Sequence, residues 1–129
     1  MLEQIRDFMR AGNQSVPAIP RRDHHDQEFW EILARACDEW EETRCAKTTA
    51  EALDGFLDIA YVAFTGALHV AGLKATEEAW KLINRANTSK IDGTYGPTVT
   101  DPLTGKILKP EGFKHPDIQK IVEEARKRV

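Results

Sequence analysis

The sequence predicts an all-α fold, a bundle of four to five helices with a long loop in its C-terminal part. Apolar residues recur every three to four positions in several separate stretches, which is the spacing of one face of a helix. All six prolines lie between those stretches or at their edges, where helices are expected to end or begin. The chain has 129 residues, about the length of one domain, so we expect a single domain over residues 1–129.

The first two helices are predicted from apolar stripes. Residues 1–12 carry apolar side chains at helical spacing, and Gly12 ends this helix. Residues 13–22 contain two prolines and are predicted to form an extended connector. A second helix is predicted from about residue 26 to residue 45. Its apolar stripe consists of Phe29, Ile32, Leu33, Ala36, Cys37 and Trp40. Because Trp30, Trp40 and Trp80 all fall on such stripes, we expect them in the core. The alternative is a base-stacking role, for which Trp30, close to His24 and His25, is the candidate.

Thr48 to Glu51 has the pattern of a capping box, in which the Thr48 hydroxyl accepts an amide hydrogen bond while Glu51 reaches back. The third helix runs from here to about residue 71, and Gly72 is a plausible C-terminal stop. This helix is apolar nearly all round after Asp58, which predicts that it is the most buried of the bundle. A fourth helix is predicted over about residues 76–86.

Residues 88–116 are rich in turn signals and are predicted to form the long loop. A small hairpin is expected within it, around Thr98 to Ile107. Pro116 is predicted to open a last helix, because proline suits the first helical turn. The basic residues at 126–128 complement the dipole at the end of that helix.

Composition excludes several classes of protein. The 18 basic and 21 acidic residues give a formal net charge of -3, which argues against a protein built to coat nucleic acid. We expect no membrane span, because no apolar run approaches the roughly 20 residues of a spanning helix. We expect no signal peptide, because residues 1–10 contain the four charged residues Glu3, Arg6, Asp7 and Arg10. Cys37 and Cys45 lie eight positions apart in one predicted helix, about 12 Å along its axis. That is too far for a disulfide, so we expect free thiols and a cytoplasmic location.

Acidic residues collect on the second and third helices. Glu39 and Glu42 are three positions apart, and Asp54 and Asp58 are four apart, so each pair shares a helix face. A short turn between the helices makes them antiparallel neighbours, and their acidic faces can converge. Like charges at this spacing repel by a few tenths of a kcal/mol unless a cation lies between them. Carboxylates without Cys or His partners favour Mg²⁺ or Mn²⁺, and the alternative is a solvated acidic face.

The acidic residues also carry a resemblance. Residues 38–42 followed by residues 54–62 resemble the all-α nucleoside triphosphate pyrophosphohydrolases, the MazG-like and phosphoribosyl-ATP pyrophosphohydrolase-like proteins. Residues 84–90 and 105–110 resemble the C-terminal part of a small phage- and bacterial-type branch. The signature of the family is EExxE, a gap, and ExxD before an apolar helix.

Position by position, the resemblance implies that Glu39, Glu42 and Asp58 are the catalytic residues and that they bind the metal. Gly55 stands where the family has the glutamate of ExxD, and Asp54 is the candidate substitute ligand. A literal ExxD exists at Glu51–Asp54, but Glu51 is better explained as a helix cap.

The implied activity is Mg²⁺- or Mn²⁺-dependent hydrolysis of a (deoxy)nucleoside triphosphate between the α and β phosphates, with a purine such as dGTP as a guess at the substrate. The resemblance also implies that Asn87 and Lys90 contact phosphate or sugar, and that Lys106 and Lys109 close over the outer phosphates. Two alternatives remain open: a non-catalytic nucleotide-binding or oligomeric homologue impaired by Gly55, and a phosphoribosyl-ATP pyrophosphohydrolase.

The family builds its active site between subunits, so the resemblance implies a homodimer or homotetramer. It implies no nucleic-acid or membrane partner. The expected location is the cytosol of a bacterium or of a phage-infected host.

Overall fold

The computed structural model describes residues 1–128, and these form four helices and no β-strand. The helices are α1 (Leu2–Ala11), α2 (Gln27–Arg44), α3 (Thr49–Ser89) and α4 (Ile118–Arg126). The prediction of an all-α fold is confirmed. The loop between α3 and α4 is the long segment expected from the sequence.

Gly72 divides α3 into two halves, residues 49–71 and 73–89. Its backbone is non-helical, with φ 80° and ψ 174°, a region that glycine adopts without steric cost. A Cβ at this position would lie 2.2 Å from the carbonyl oxygen of Pro17, so the connector after α1 passes directly against the break. Beyond Gly72 the chain folds back onto the first half of α3. The hydrogen bond that the Thr76 hydroxyl donates to the Ala67 carbonyl oxygen, at 3.3 Å, spans this reversal. The predicted stop at Gly72 is therefore a break within α3, with the predicted fourth helix as its second half.

Side-chain caps fix the starts of three helices. Asp26 accepts from the Phe29 amide at 2.8 Å, and Asp117 accepts from the Lys120 amide at 3.0 Å. At the start of α3 the Thr48 hydroxyl accepts from the Glu51 amide at 3.1 Å, which confirms the predicted cap. The Glu51 carboxylate reaches back one residue further than expected and accepts from the Lys47 amide at 2.8 Å.

The hydrophobic core lies where α1 packs on the middle of α3. Leu2, Ile5 and Met9 of α1 are buried against Leu68. Next to Leu68, the fully buried His69 joins the connector and the start of α2 to α3 through hydrogen bonds to Ser15 and Asp26. The centre of the fold is thus assembled from α1, the connector and α3.

Much of the expected core is exposed instead. Trp30, Trp40 and Trp80 are 58%, 59% and 41% exposed, so the prediction that they are core residues is wrong for the single chain. α3 is central, since it packs against α1, α2 and α4, but it is not buried all round. Leu53, Phe56 and Leu57 in its first half are at least 60% exposed. The helical spacing marked an apolar face correctly, but nothing within residues 1–128 covers it.

By length and composition, α3 is apolar enough to cross a membrane. One 18-residue stretch of it reaches a mean hydropathy of 1.5, and 22% of that stretch is buried. The central helix of a soluble protein meets the same criterion. The prediction that no apolar stretch approaches the length of a spanning helix is therefore wrong for α3.

The loop between α3 and α4 contains the expected hairpin in minimal form. A single antiparallel bridge joins Thr100 and Ile107. The Asp101 amide donates to the Lys106 carbonyl oxygen at 2.8 Å, and the Leu108 amide donates to the Val99 carbonyl oxygen at 2.8 Å.

Candidate functional site

A short turn brings the acidic faces of α2 and α3 together. α2 ends at Arg44 and α3 begins at Thr49, and the two helices pack along each other. They are in close contact where Gly55 meets Thr43, since a Cβ on Gly55 would lie 2.2 Å from Thr43 Oγ1. The Thr43 hydroxyl itself donates to the Glu39 carbonyl oxygen at 2.6 Å.

Beside this contact lies a cleft of about 210 Å³, which we call the acid cleft. All four predicted metal ligands line it: Glu39 and Glu42 from α2, and Asp54 and Asp58 from α3. Within residues 1–128 no basic side chain lines it. The full lining is Glu39, Glu42, Thr43, Cys45, Ala46, Glu51, Asp54, Gly55 and Asp58.

Negative charges of the acid cleft act unfavourably on Glu39. Partial burial of the carboxyl raises the pKa of Glu39, and the negative charges of Glu42, Asp58, Asp54 and Asp38 raise it further. These shifts follow from desolvation and from like charges, both of which disfavour the ionised form. A divalent cation in the cleft would relieve both effects.

The donor set suits a hard cation, since all four side chains offer carboxylate oxygens. In the part of the chain that the structure describes, however, no group of three or more His, Cys, Asp or Glu side chains is arranged to hold a metal ion. Glu42, Asp54 and Asp58 are exposed, and none of them forms an ion pair within residues 1–128. Metal binding would therefore require these side chains to take up a different arrangement.

Asp58 lies in a different environment from the one its sequence suggests. The apolar run that follows it predicts a carboxylate at the edge of the buried part of the helix. In the structure Asp58 is exposed, because the neighbouring apolar side chains of the first half of α3 are exposed as well.

Gly55 has a packing role that its sequence position does not reveal. Besides the contact with Thr43 Oγ1, a Cβ here would lie 2.9 Å from Thr43 Cβ and 2.9 Å from Cγ2. The glutamate that the resemblance predicts at this position would clash with α2. Sequence reasoning missed the pairing of Gly55 with Thr43, and the signal available was a glycine inside a helix, which often marks a close approach.

The predicted phosphate-binding residues lie apart from the acid cleft. Asn87, Lys90, Lys106 and Lys109 are all missing from its lining. The Lys90 Nζ donates to Asn87 Oδ1 at 3.0 Å and lies 5.0 Å from the centroid of the Phe113 ring. Lys106 and Lys109 are exposed in the loop between α3 and α4. The structure thus pairs Asn87 with Lys90 and leaves both loop lysines away from the carboxylates.

No protein-family model matches this chain, and no curated protein matches it. The fold and the cleft together define a class only: a small all-α protein with a carboxylate-lined cleft between two antiparallel helices.

Proposed function

We propose that this chain is a metal-dependent nucleoside triphosphate pyrophosphohydrolase. It would hydrolyse a (deoxy)nucleoside triphosphate, such as the purine nucleotide dGTP, between the α and β phosphates. The main support is that Glu39, Glu42, Asp54 and Asp58 line one cleft at the α2–α3 turn. The resemblance to the all-α pyrophosphohydrolases rests on these same residues.

In this proposal the four carboxylates of the acid cleft hold Mg²⁺ or Mn²⁺. A bound cation of this kind neutralises phosphate charge and lowers the pKa of a bound water molecule. Glu39 is our first candidate ligand, because partial burial raises its pKa and the negative charges of Glu42, Asp58, Asp54 and Asp38 raise it further. No side chain acts as a nucleophile in this proposal.

The phosphate-binding residues proposed for the acid cleft must come from another copy of the chain. These residues are Asn87, Lys90, Lys106 and Lys109. They do not line the acid cleft of their own chain. A homodimer or homotetramer would supply them from a neighbouring copy. Exposed apolar side chains beside the cleft support this assembly, since Trp40 and Phe56 line a small apolar cavity that shares Thr43 with the acid cleft. In this proposal the protein works in the cytosol of a bacterium or phage-infected host, without nucleic-acid or membrane partners.

The activity is tested with the purified full chain, Mg²⁺ or Mn²⁺, and a panel of the common nucleoside and deoxynucleoside triphosphates. We expect pyrophosphate as the product from at least one of them, and no turnover in EDTA. Glu39→Gln is expected to abolish turnover, whereas Glu111→Gln, outside the acid cleft, is the matched control and should retain it. Release of orthophosphate, or full activity in EDTA, would contradict the proposal.

The assembly is tested separately by sedimentation velocity. We expect the wild-type chain to sediment as a dimer or tetramer. Leu57→Glu places a charge on the exposed face of α3 and should shift the population toward monomer. A wild-type monomer at all accessible concentrations would rule out the assembly while leaving the carboxylate site to be judged by the activity assay.

A second candidate function is nucleotide binding without catalysis. It is favoured by the finding that no three carboxylates in residues 1–128 already stand in a metal-binding arrangement. This alternative predicts that a nucleotide stabilises the protein by ligand linkage and that no pyrophosphate appears with any triphosphate of the panel. The same purified samples therefore separate the two functions.

A further inference from the structure

A second cleft, of about 620 Å³, lies between the second half of α3, the following loop and α4. We call it the α3–α4 cleft. It is larger than the acid cleft and shares no lining residue with it. Its volume falls within the range of about 300–1,000 Å³ that is usual for small-molecule sites.

Two of the three acidic side chains of the α3–α4 cleft form hydrogen bonds. Glu78 accepts two from the Arg128 guanidinium, at 2.9 and 3.1 Å. Asp117 caps α4 by accepting from the Lys120 amide at 3.0 Å. The third, Glu124, lies near enough to Arg128 for its charge to raise the pKa of Arg128, to a smaller extent than Glu78 does. Glu78 and Glu124 therefore lie toward Arg128, and Asp117 lies at the start of α4.

Three cations of the same cleft have no such partners. Arg85, Lys114 and Lys120 line the cleft, and within residues 1–128 none of their side chains forms an ion pair or a side-chain hydrogen bond. The two helices run antiparallel here, because Ser89 at the end of α3 and Asp117 at the start of α4 line the same cleft while Glu78 bonds Arg128. The unpaired cations therefore lie toward the loop end.

The loop end also offers a hydroxyl donor. The Tyr95 hydroxyl oxygen accepts from the Lys114 amide at 3.3 Å, which leaves its own proton free to donate. The ring of Tyr95 packs edge-on against Phe113, with 5.9 Å between centroids, so the hydroxyl is held in position. A guanidinium, two ammonium groups and a phenol thus line one cleft, and no acidic side chain among the described residues forms an ion pair with the three cations.

We propose that the α3–α4 cleft binds a small phosphate-bearing molecule, with Arg85, Lys114 and Lys120 as its charge partners. Arginine offers a planar fork of donors that matches phosphate oxygens, and lysine adds point charges around it. A cleft of this size holds more than an orthophosphate ion, so the ligand class is a diphosphate or a nucleotide-sized phosphate ester. This site needs no metal and does not depend on the proposed function of the acid cleft.

The binding test uses inorganic pyrophosphate as the probe and the full chain in EDTA. Without a divalent cation the acid cleft repels polyphosphate, so titration calorimetry under this condition reports on the α3–α4 cleft alone. We expect saturable one-to-one binding by the wild-type chain. The variant Arg85→Gln/Lys120→Gln should bind at least about tenfold more weakly, because it removes two charge-assisted partners. Arg35→Gln/Lys47→Gln removes the same charge from exposed positions outside the cleft and should bind as the wild type does.

A charge-preserving variant, a second anion and an acid-cleft variant test the same binding site. Lys120→Arg keeps the charge and should retain binding, and circular dichroism should show unchanged helix content for every variant, since Arg85 and Lys120 are exposed and unpaired. Citrate should bind more weakly than pyrophosphate, and equal affinity would overturn the assignment to phosphate. The proposal is also overturned if pyrophosphate does not saturate or if both double variants weaken binding equally. Glu39→Gln should leave this binding unchanged, so loss of catalysis and loss of this site are distinguishable.

Discussion

Thr43 and Gly55 meet across the α2–α3 contact so closely that no side chain fits on Gly55. A Cβ there would lie 2.2 Å from Thr43 Oγ1 and 2.9 Å from Thr43 Cβ. The Thr43 hydroxyl is fixed by its hydrogen bond to the Glu39 carbonyl oxygen at 2.6 Å, so it cannot rotate away without losing that bond. This contact holds together the two helices that carry the acid cleft. A glycine at position 55 is therefore explained by packing, whatever its consequence for metal binding.

In Gly55→Ala, overpacking is expected to cost about 1–3 kcal/mol. Alanine gains roughly 1 kcal/mol over glycine in a helix, so we expect the protein to be destabilised by up to about 2 kcal/mol. The free energy of unfolding is measured by urea denaturation. Adding Thr43→Ala should recover part of the loss, because it removes the Oγ1 and Cγ2 atoms in the way.

Gly66→Ala is the matched control in the same helix. A Cβ on Gly66 would lie 3.4 Å from Ile32 Cγ2, which is close to ordinary contact, so this variant should be neutral or slightly stabilising. Equal stability of the Gly55→Ala and Gly66→Ala variants would show that the helices are further apart than the Thr43–Gly55 contact requires.

Glu39→Gln is expected to stabilise the metal-free protein at neutral pH. Partial burial, and then the charges of Glu42, Asp58, Asp54 and Asp38, raise the pKa of Glu39 on folding. The ionised carboxylate is thus less favourable in the folded state, and this penalty is present above the folded pKa and vanishes below the ordinary glutamate pKa. Urea midpoints in EDTA at neutral and at acidic pH measure it.

The same two titrations contain the control for Glu39→Gln. Glu111→Gln, outside the cleft, should leave the midpoint unchanged at both pH values. A Glu39→Gln advantage that persists unchanged into acid would mean that the gain comes from packing and not from relief of charge repulsion.

The helices and the acid cleft were largely predictable because their signals are local. Apolar spacing gave the helices, the Thr48–Glu51 pattern gave the start of α3, and the short turn gave converging acidic faces. The burial of the apolar faces was not predictable, since spacing shows that Trp40 shares a face with other apolar side chains but not what covers that face.

The placement of the basic residues depends on tertiary structure. Lys90 follows α3 after its reversal at Gly72, and its distance from the carboxylates depends on how the second half of α3 folds back. No local pattern encodes that angle. The same reversal, together with the docking of α4, creates the α3–α4 cleft, which no motif in the sequence indicates.

Glu51 and Asp54 both line the acid cleft, and their variants should separate capping from metal binding. The Glu51 carboxylate already accepts from the Lys47 amide at 2.8 Å. Glu51→Gln retains an oxygen acceptor for that bond and should leave the rise in Tm caused by Mg²⁺ intact. Asp54→Asn removes a charge from a side chain with no such bond and should reduce that rise, because stabilisation by a ligand follows its affinity.

Thermal unfolding with and without Mg²⁺ measures both Glu51→Gln and Asp54→Asn, with Ser89→Ala as a variant outside the cleft. Loss of the Mg²⁺ effect in Glu51→Gln, with no change in Asp54→Asn, would assign the ligand to Glu51. Loss of the Mg²⁺ effect in both variants would instead make the literal ExxD at Glu51–Asp54 the metal-binding motif.

His69 is the buried polar group on which the N-terminal half of the fold depends. Its Nδ1 lies 3.1 Å from the Ser15 carbonyl oxygen and 3.0 Å from Glu28 Oε2, and its Nε2 lies 2.9 Å from Asp26 Oδ1. His69→Ala should cost about 2–4 kcal/mol in urea denaturation, because it leaves a cavity and removes the hydrogen bonds that join α3 to Ser15 and Asp26. His69→Gln, which can restore one of these hydrogen bonds, should cost less.

Asp26 gives this network its pH dependence. The hydrogen bond from the Phe29 amide lowers the pKa of Asp26, and His69 lowers it further. A carboxyl with a lowered pKa stabilises the fold above its ordinary pKa, and this contribution is lost as the pH falls through the folded value. The wild-type chain should therefore be more stable than Asp26→Ala at neutral pH and lose that advantage in acid.

Two variants are controls for Asp26→Ala. Asp26→Asn keeps an oxygen for the cap, and its stability should fall between those of the wild type and Asp26→Ala. Asp23→Ala, in the exposed segment before α2, should change little at either pH. An Asp26→Ala penalty of equal size at both pH values would show that the carboxylate contributes by shape alone.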